Sequence, residues 1–334
     1  MAYRVLGLDK ASRHEAVYAG VRSSIPEESY ILLTQGDPFR AEVAASPEAF
    51  SQQLPFYHTK PLYPLLVAGT MRLGVEPVAA TLWVSRVGYI AIALVLYYWL
   101  LTYLSPVRSA VTAVLFAALP FVLDLARLST PDSVSTALVL LGLAWMAKGH
   151  RSRGQTMLAF SILARPDNIL WLVATTGHSA LWAREHFKRD LAVLAGTTLV
   201  TAVMLQVMGA YSWGVLTHHT FFGQLAYPAD FDPKFSAWQL IRLYLRASHP
   251  AHIPSFALLS LMLVGGVALI QPPERRWRDA TGRLMAIAIG YMAMHWLVLP
   301  HGQRFFVPAY LCIGVAIFLW GRDVAALQKR ATAA

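Results

Sequence analysis

The chain has 334 residues, of which 56% are hydrophobic and only 14% are charged. Soluble domains carry roughly 25% charged residues, so the composition excludes an ordinary soluble protein and indicates an integral membrane protein. The net charge of +10 then reflects basic loops beside a membrane and not a nucleic-acid-binding surface. The single cysteine, Cys312, excludes an intramolecular disulfide and argues against a cysteine-based metal site.

The first part of the chain lacks a membrane span. The first sixty residues contain no apolar stretch near the roughly 20 residues that a membrane-spanning helix requires. They also show no secretory signal peptide. We therefore predict that residues 1–77 lie outside the bilayer.

Nine apolar segments follow, and they predict an all-α, polytopic transmembrane fold. The segments run from Val78 to Leu104, Val107 to Leu123, Ser133 to Ala147, Thr156 to Ala164, Ile169 to Ala183, Leu191 to Ala210, Ile253 to Ile270, Leu284 to Leu299 and Phe305 to Trp320. The fourth segment is too short to cross a bilayer alone. It is predicted to form a shallow hairpin with the fifth around Arg165-Pro166-Asp167-Asn168.

The basic residues between the segments predict the orientation of the chain. If the nine segments alternate in direction, the connections on one side hold fourteen of the 28 Lys and Arg, and those on the other hold six. The richer set comprises Arg108, Lys148, Arg151, Arg153, Arg184, Lys188, Arg189, Arg275, Arg276, Arg278, Arg283, Arg322, Lys329 and Arg330. The positive-inside rule assigns this set to the cytoplasm.

Three regions follow from this orientation. Residues 1–77 form an external N-terminal stretch, residues 78–320 form the transmembrane domain with an external loop at 211–252, and residues 321–334 form a cytoplasmic tail. An external position for residues 1–77 requires either translocation by an unusual route or an upstream helix that carries them across the membrane, and we favour the helix. We therefore expect an apolar helix upstream of Met1, with the start codon misassigned or the gene truncated.

Ionisable residues near membrane spans are costly and tend to mark function. On the predicted external side they recur in a series of short motifs. The motifs are Gly36-Asp37-Pro38-Phe39-Arg40-Ala41-Glu42, Phe56-Tyr57-His58-Thr59-Lys60-Pro61-Leu62-Tyr63-Pro64-Leu65-Leu66, Arg86, Ser129-Thr130-Pro131-Asp132, Ala164-Arg165-Pro166-Asp167 and His301-Gly302-Gln303-Arg304-Phe305-Phe306-Val307-Pro308.

This series resembles the GT-C superfamily of membrane glycosyltransferases, in the branch of the protein O-mannosyltransferases and the lipid A aminoarabinose transferases. The resemblance covers roughly residues 36 to 320 and rests on the order and spacing of the motifs. Two departures stand out. Many relatives carry two acidic residues at the first motif, where this chain has Asp37 followed by Pro38, and relatives begin with a transmembrane helix that this chain lacks.

The resemblance implies a catalytic carboxylate in the first motif. Asp37 is the candidate general base, which would accept a proton from the attacking group of the acceptor. Glu42 is the substitute if Asp37 serves only to form an Asx turn or to cap a helix, which an Asp-Pro sequence favours.

The cations of the later motifs are candidates for binding the donor phosphate. For Lys60 and Arg304 the alternative is snorkelling to lipid headgroups. For Arg86 and Arg165 the alternative is contact between helices or capping of a turn. His58 could bind sugar or phosphate, or could simply be a polar loop residue.

The long loop offers a weaker metal hypothesis. His218, His219, His249 and His252 could form a zinc site, and Asp230 and Asp232 could contact an acceptor or a divalent metal, although a solvated loop is favoured for both aspartates. We expect no cofactor, since a divalent metal is conceivable but unsupported.

The most specific reading is a glycosyltransferase of the plasma (inner) membrane with its active site on the external or periplasmic side. It would move a sugar, with inversion, from a polyprenyl-phosphate-linked donor to a lipid, glycan or protein acceptor. Membrane lipids are the other expected partners, and nucleic acid is not expected. The alternatives are a transporter or lipid flippase, and a non-catalytic truncated glycosyltransferase homologue. The polar residues cluster at one face and no inverted repeat is visible, which favours the enzyme over a transporter.

Overall fold

A computed structural model describes residues 2–5, 7–247, 255–270, 280–298 and 303–333. Within these ranges every regular element is a helix, which confirms the predicted all-α class. The helices before the first long apolar helix are α1 (Ala2–Val5), α2 (Lys10–Ser24), α3 (Glu27–Gln35), α4 (Pro38–Ala45), α5 (Pro47–Gln53), α6 (Pro55–His58) and α7 (Leu62–Arg72). The next are α8 (Pro77–Leu100), α9 (Pro106–Ala117), α10 (Pro120–Arg127), α11 (Asp132–Ala147), α12 (Arg151–Ser161), α13 (Ile169–Trp182) and α14 (Arg184–Val207). The last are α15 (Trp213–Phe221), α16 (Ala237–Ala247), α17 (Ser255–Ile270), α18 (Ala280–Val298) and α19 (Val307–Ala333), with 3₁₀ turns at Pro166–Asn168, Pro228–Asp230 and Gln303–Phe306.

Helix boundaries follow the local sequence. Six helices, α4, α5, α6, α8, α9 and α10, begin with proline at their first position, where its missing N–H costs no hydrogen bond. Gly149 has a φ of +84°, in the left-handed region that glycine adopts without strain. This conformation lets the chain turn tightly from α11 into α12.

The described residues of the nine predicted apolar segments are largely helical, but Val107–Leu123 is divided between α9 and α10, and nine membrane-spanning segments are not confirmed. Three described helices are long and apolar enough to cross a bilayer, namely Pro77–Leu100, Arg184–Val207 and Arg304–Gly321. A fourth crossing is possible if α9 and α10, which are bent by 70° at their junction, count as one span. The protein is thus a helical membrane protein, whereas a full set of crossings is not established. The predicted boundary of the tail at residue 321 is not a helix end, since α19 continues to Ala333.

The core lies among α8, α11, α12, α13, α18 and α19. Two of these helices approach each other closely where both carry glycine. A Cβ added to Gly154 of α12 would lie 2.6 Å from the carbonyl oxygen of Gly142 in α11. This crossing needs glycine at residue 154, and it brings the backbones of α11 and α12 together.

The N-terminal stretch packs against the predicted external loop. The Gln53 side-chain amide donates to the carbonyl oxygens of Leu225 and Ala226 at 3.0 and 2.9 Å. The Tyr211 hydroxyl donates to the carbonyl oxygen of Gln52 at 2.9 Å. The two regions assigned to the outer face therefore lie on the same side of the molecule as each other.

Candidate functional site

A buried arginine holds a cluster of charges where α11, α12, α13 and α18 share one end. Arg165 is 7% exposed. Its Nε and Nη2 donate to the two carboxylate oxygens of Asp167 at 3.0 and 2.7 Å, and its Nη1 donates to Asp132. Bidentate pairing fixes the plane of the guanidinium as well as its position.

Local structure explains why these groups meet. Asp167 lies two residues after Arg165, in the 3₁₀ turn that Pro166 begins. Asp132 is the first residue of α11, where a carboxylate is favoured by the exposed N–H groups of the helix terminus. Both carboxylates have further partners, since Thr130 Oγ1 donates to Asp132 at 2.8 Å and His295 Nε2 lies 3.2 Å from Asp167 Oδ2.

The pairing keeps Asp167 and Arg165 charged despite their burial. Burial alone raises the pKa of the Asp167 carboxyl, but Arg165 and His295 outweigh it and hold that pKa well below its usual range. Burial lowers the pKa of the Arg165 guanidinium, and Asp167 and Asp132 more than reverse this. Arg165, Asp132 and Asp167 therefore form a stable ion triad at the centre of the site.

Two further cations lie at the edge of the triad. Arg304 Nε is 3.6 Å from Asp132 Oδ2, and the Arg304 side chain is 46% exposed. Lys60 lies between α6 and α7, and the start of α7 is held to the chain just before Arg165 by the Leu62 N–H, which donates to the carbonyl oxygen of Leu163 at 3.0 Å. Burial and the nearby Arg165 guanidinium lower the pKa of Lys60. We call Lys60, Asp132, Arg165, Asp167, His295 and Arg304 the Arg165 cluster.

An aromatic floor supports the cluster. The guanidinium carbons of Arg165 and Arg304 lie 4.1 and 5.2 Å from the ring centroid of Phe305, within the range of cation–π attraction. The carbonyl oxygen of Phe305 accepts a hydrogen bond from the Tyr291 hydroxyl at 3.0 Å, and the Tyr291 ring stacks on Trp171 at 4.1 Å. Trp171 and Tyr291 are almost fully buried, and the low local dielectric of buried rings strengthens electrostatic interactions beside them.

The cluster has an excess of positive charge. Lys60, Arg165 and Arg304 are three cations against the two carboxylates of Asp132 and Asp167, without counting His295. Both carboxylates are occupied by Arg165. Arg304 keeps only a longer contact, of 3.6 Å, with Asp132, so the excess positive charge lies at the edge of the cluster that Lys60 and Arg304 form, and the arrangement is suited to attract an anion.

The structure brings together three of the predicted substrate-binding residues and leaves others apart. Lys60, Arg165 and Arg304 share the cluster. His58 is buried two residues before Lys60, in the last turn of α6. Arg86 is exposed on α8 and makes no ion pair with any described residue.

The predicted catalytic carboxylates have local partners. Asp37 caps α4, since its Oδ1 accepts from the Arg40 N–H at 2.8 Å, and its Oδ2 lies 3.1 Å from Arg40 Nε. This is the capping arrangement that an Asp-Pro sequence favours. Glu42 accepts a hydrogen bond from the Tyr227 hydroxyl at 2.5 Å. The catalytic role of either residue stays a prediction.

The metal hypothesis gains no geometric support from the described part of the loop. Nδ1 of His219 accepts the Leu225 N–H at 3.1 Å, and its ring stacks on Phe56. Asp230 and Asp232 are exposed. No group of three His, Cys, Asp or Glu among the described residues could hold a metal ion. His249 and His252 lie outside the described residues.

Three members of the cluster were not predicted as site residues. Asp132 and Asp167 stood in the quoted motifs without a role, and their position beside proline at the ends of apolar segments was the available signal. His295 lies inside an apolar segment. An ionisable residue there was itself a signal of function.

Comparison with known proteins gives no assignment, because no family model matches the chain, and neither a curated protein nor a solved structure shows significant similarity to it.

Proposed function

We propose that this protein is a membrane glycosyltransferase. In this proposal it moves a sugar from a polyprenyl-phosphate-linked donor to a lipid, glycan or protein acceptor on the non-cytoplasmic side of the plasma (inner) membrane. The observation that carries the proposal is the Arg165 cluster, in which three cations meet two carboxylates and Arg304, 46% exposed, makes only a 3.6 Å contact with Asp132.

The chemistry assigns different tasks to the three cations. Arg165 is held by both carboxylates, so its role is to fix Asp132 and Asp167 and the aromatic floor. Lys60 and Arg304 are left to contact the donor phosphate. Negative charge grows on that phosphate as the bond to the anomeric carbon breaks, and fixed cations stabilise it.

Transfer needs no covalent enzyme intermediate, because the lipid phosphate is already a good leaving group. The acceptor attacks the anomeric carbon directly, the bond to the phosphate oxygen breaks, and the configuration inverts. A base then accepts the acceptor's proton. Asp132 and Asp167 are occupied by Arg165 and are poor candidates, so Asp37 or Glu42 stays the proposed base.

The position of the cluster argues against the transporter alternative. A transport site would lie near the middle of the bilayer, between repeated halves. The Arg165 cluster instead lies where α11 begins and α18 ends. A donor whose lipid chain stays in the membrane could present its phosphate at such a place.

Purified protein in detergent, incubated with labelled polyprenyl-phosphate sugars and candidate acceptors, tests the proposal. We expect Lys60→Ala and Arg304→Ala to lower the transfer rate at subsaturating donor by about tenfold or more, because each removes a charge-assisted contact to phosphate. Arg304→Lys should rescue only in part, since lysine lacks the planar fork of arginine.

The matched control is Lys234→Ala, which removes an exposed cation from the predicted external loop, outside the cluster. Full transfer rates in both Lys60→Ala and Arg304→Ala would contradict the proposed phosphate site. A protein that moves labelled lipid between leaflets of a vesicle without transferring sugar would be a flippase.

A further inference from the structure

The opposite end of the same helices carries a second polar network, centred on a carboxylate. Asp190, on α14, is 1% exposed. Its carboxylate accepts from Arg151 Nε at 3.2 Å, from the Gln155 side-chain amide at 2.5 Å and from the Ser179 hydroxyl at 2.5 Å. We call Arg151, Gln155, Ser179 and Asp190 the Asp190 cluster.

Arg151 of this cluster also lines a cavity whose other lining residues are largely basic. The cavity has a volume of about 370 Å³. Its cationic and imidazole-bearing residues are His150, Arg151, Arg153, His186, Arg189 and Arg283. None of the described residues that line it is acidic. We call it the arginine cavity.

The arginines differ in how far they are neutralised. Arg151 is buried and held by Asp190. Arg189 is exposed, its Nε lies 3.7 Å from Asp190 and its Nη1 lies 3.4 Å from Ser152 Oγ. Arg153 is exposed and makes no ion pair with any described residue. The Asp190 carboxylate already accepts hydrogen bonds from three closer partners. The positive charges of Arg153 and Arg189 are therefore largely unneutralised, and both residues line the cavity.

The fold adds a further source of positive potential. Arg151, Ser152 and Arg153 are the first three residues of α12, an eleven-residue helix whose N-cap residue, His150, makes no side-chain capping bond. All three residues line the cavity, so the N-terminus of α12 lies beside it, and a helix N-terminus favours an anion. The helix terminus reinforces the cavity but does not define it.

The positive-inside rule explains why arginines occur at this end but not why they converge. Basic residues that only orient a membrane protein can be scattered over its loops. Here they come from three separate stretches: the start of α12, the start of α14, and α18. A buried carboxylate also holds Arg151 in place.

We propose that the arginine cavity is a binding site for a phosphate group, distinct from the Arg165 cluster. Arginine matches phosphate because its planar fork offers two parallel donors. A single phosphate or pyrophosphate fits within 370 Å³. The same chemistry is supplied by a soluble phosphate anion and by the headgroup of an anionic phospholipid, and the two sources are separated by experiment.

The experiment uses the full chain in two arms. In detergent, the thermal unfolding midpoint is followed while potassium phosphate or pyrophosphate is added, with potassium chloride at equal ionic strength as reference. In lipid nanodiscs, the midpoint is compared between phosphatidylcholine alone and mixtures containing phosphatidylglycerol. The test variant is Arg153→Gln with Arg189→Gln, and both residues are exposed.

The matched control is Arg108→Gln with Arg184→Gln, which removes two exposed arginines of the same predicted side that do not line the cavity. We expect saturable stabilisation of the wild type and of the control. In the test variant the midpoint of this effect should shift to at least about tenfold higher ligand, because two charge-assisted contacts are lost.

The detergent and nanodisc experiments together show whether the bound phosphate group belongs to a soluble anion or to a lipid, and either can contradict the proposal. Stabilisation by phosphate or pyrophosphate in detergent assigns a soluble anion, and stabilisation only by phosphatidylglycerol assigns a lipid headgroup. The proposal fails if neither arm stabilises the wild type. It fails equally if chloride gives the same effect or if the test variant responds as the wild type does.

Discussion

The two ends of the helical core are centred on buried groups of opposite charge. In the Arg165 cluster one arginine is saturated by two carboxylates, and further cations remain at the edge. In the Asp190 cluster one carboxylate is saturated by an arginine, an amide and a hydroxyl, and further arginines face a cavity. At each end, therefore, a buried charge is neutralised by its partners, and further cations lie around this neutral pair or triad.

Helices α11, α12, α13 and α18 contribute to both ends, and α14 adds Asp190 and Arg189 to the second end. α11 begins at Asp132 and ends beside the arginine cavity, and α12 runs back from Arg151 toward Arg165. At 1.5 Å per residue, the 16 residues of α11 separate the two ends by about 24 Å. That distance is short for a hydrocarbon core of about 30 Å. It agrees with the classification of α11 as a shorter apolar helix.

The largest expected effect comes from the end with a single buried carboxylate. Asp190→Asn leaves the buried Arg151 guanidinium without a counter-charge and should lower the free energy of unfolding by about 3–5 kcal/mol. Replacing both partners, as Arg151→Met with Asp190→Leu, should recover most of this loss, because no unpaired charge is left buried. Titration of unfolding in mixed micelles measures both variants.

Asp124→Asn is the control for this comparison. It removes an exposed carboxylate that lies 4.0 Å from Arg127, and exposed pairs contribute about 0–1 kcal/mol. An Asp190→Asn variant no less stable than Asp124→Asn would show that the Asp190 cluster is not a buried ion pair.

The Arg165 cluster, which has two carboxylates, should lose less stability on removal of one carboxylate than the Asp190 cluster does. Asp167→Asn keeps the Asp132 partner of Arg165, so we expect a loss of about 1–3 kcal/mol, set by the hydrogen bonds that disappear. The same unfolding titration applies. A cost equal to that of Asp190→Asn would mean that Asp132 does not share the charge of Arg165.

A backbone contact between the two ends can be broken separately. Gly154→Ala inserts a methyl group where α12 crosses α11, and overpacking of this kind typically costs about 1–3 kcal/mol. Gly177→Ala, on α13, is the control because no atom lies within 4 Å of its added Cβ. That control should be neutral or slightly stabilising, since alanine favours the helix.

The smallest effect concerns pH and the Arg165 cluster. The pKa of Lys60 is lowered from 10.5 by burial and by Arg165, so the side chain loses its proton at a lower pH than a free lysine. If Lys60 binds the donor phosphate, donor affinity should fall as the pH rises through this lowered pKa. Lys60→Arg should remove that dependence because arginine stays charged. Donor binding measured between pH 7 and 10 tests it, and a parallel decline in both proteins would exclude Lys60 as its origin.

The sequence predicted the helices better than their relation to the membrane. The described residues of the nine apolar segments are largely helical because hydrophobic pattern and proline position act locally. Crossing depends on uninterrupted length, which the 70° bend at Pro120 and the shortness of α11 and α12 reduce.

Charge partners were harder to predict than cation positions. Arg165 and Arg304 each lie beside the end of an apolar segment, so topology could predict that they meet, whereas Lys60 precedes the first segment and its place in the cluster was predicted only from the motif. The pairing of Arg151 with Asp190 depends on how α12 and α14 are rotated about their axes. Periodicity in one sequence does not determine that rotation. Asp37 illustrates the converse, since its capping role was readable from Asp-Pro alone.

The bend before α10 bears on how deeply this helix lies in the membrane. After the bend, α10 buries Phe121, Val122 and Leu125, whereas the side chains of Asp124 and Arg127 are 64% and 78% exposed. A short helix with such a polar face is stable among headgroups and not in hydrocarbon. The Arg165 cluster begins a few residues further along the chain, at Asp132, so the polar face of α10 predicts that the cluster lies at the level of the headgroups. Under the proposed function, a lipid-linked donor at that depth would present its phosphate to Lys60 and Arg304 while its chain stays in its own leaflet.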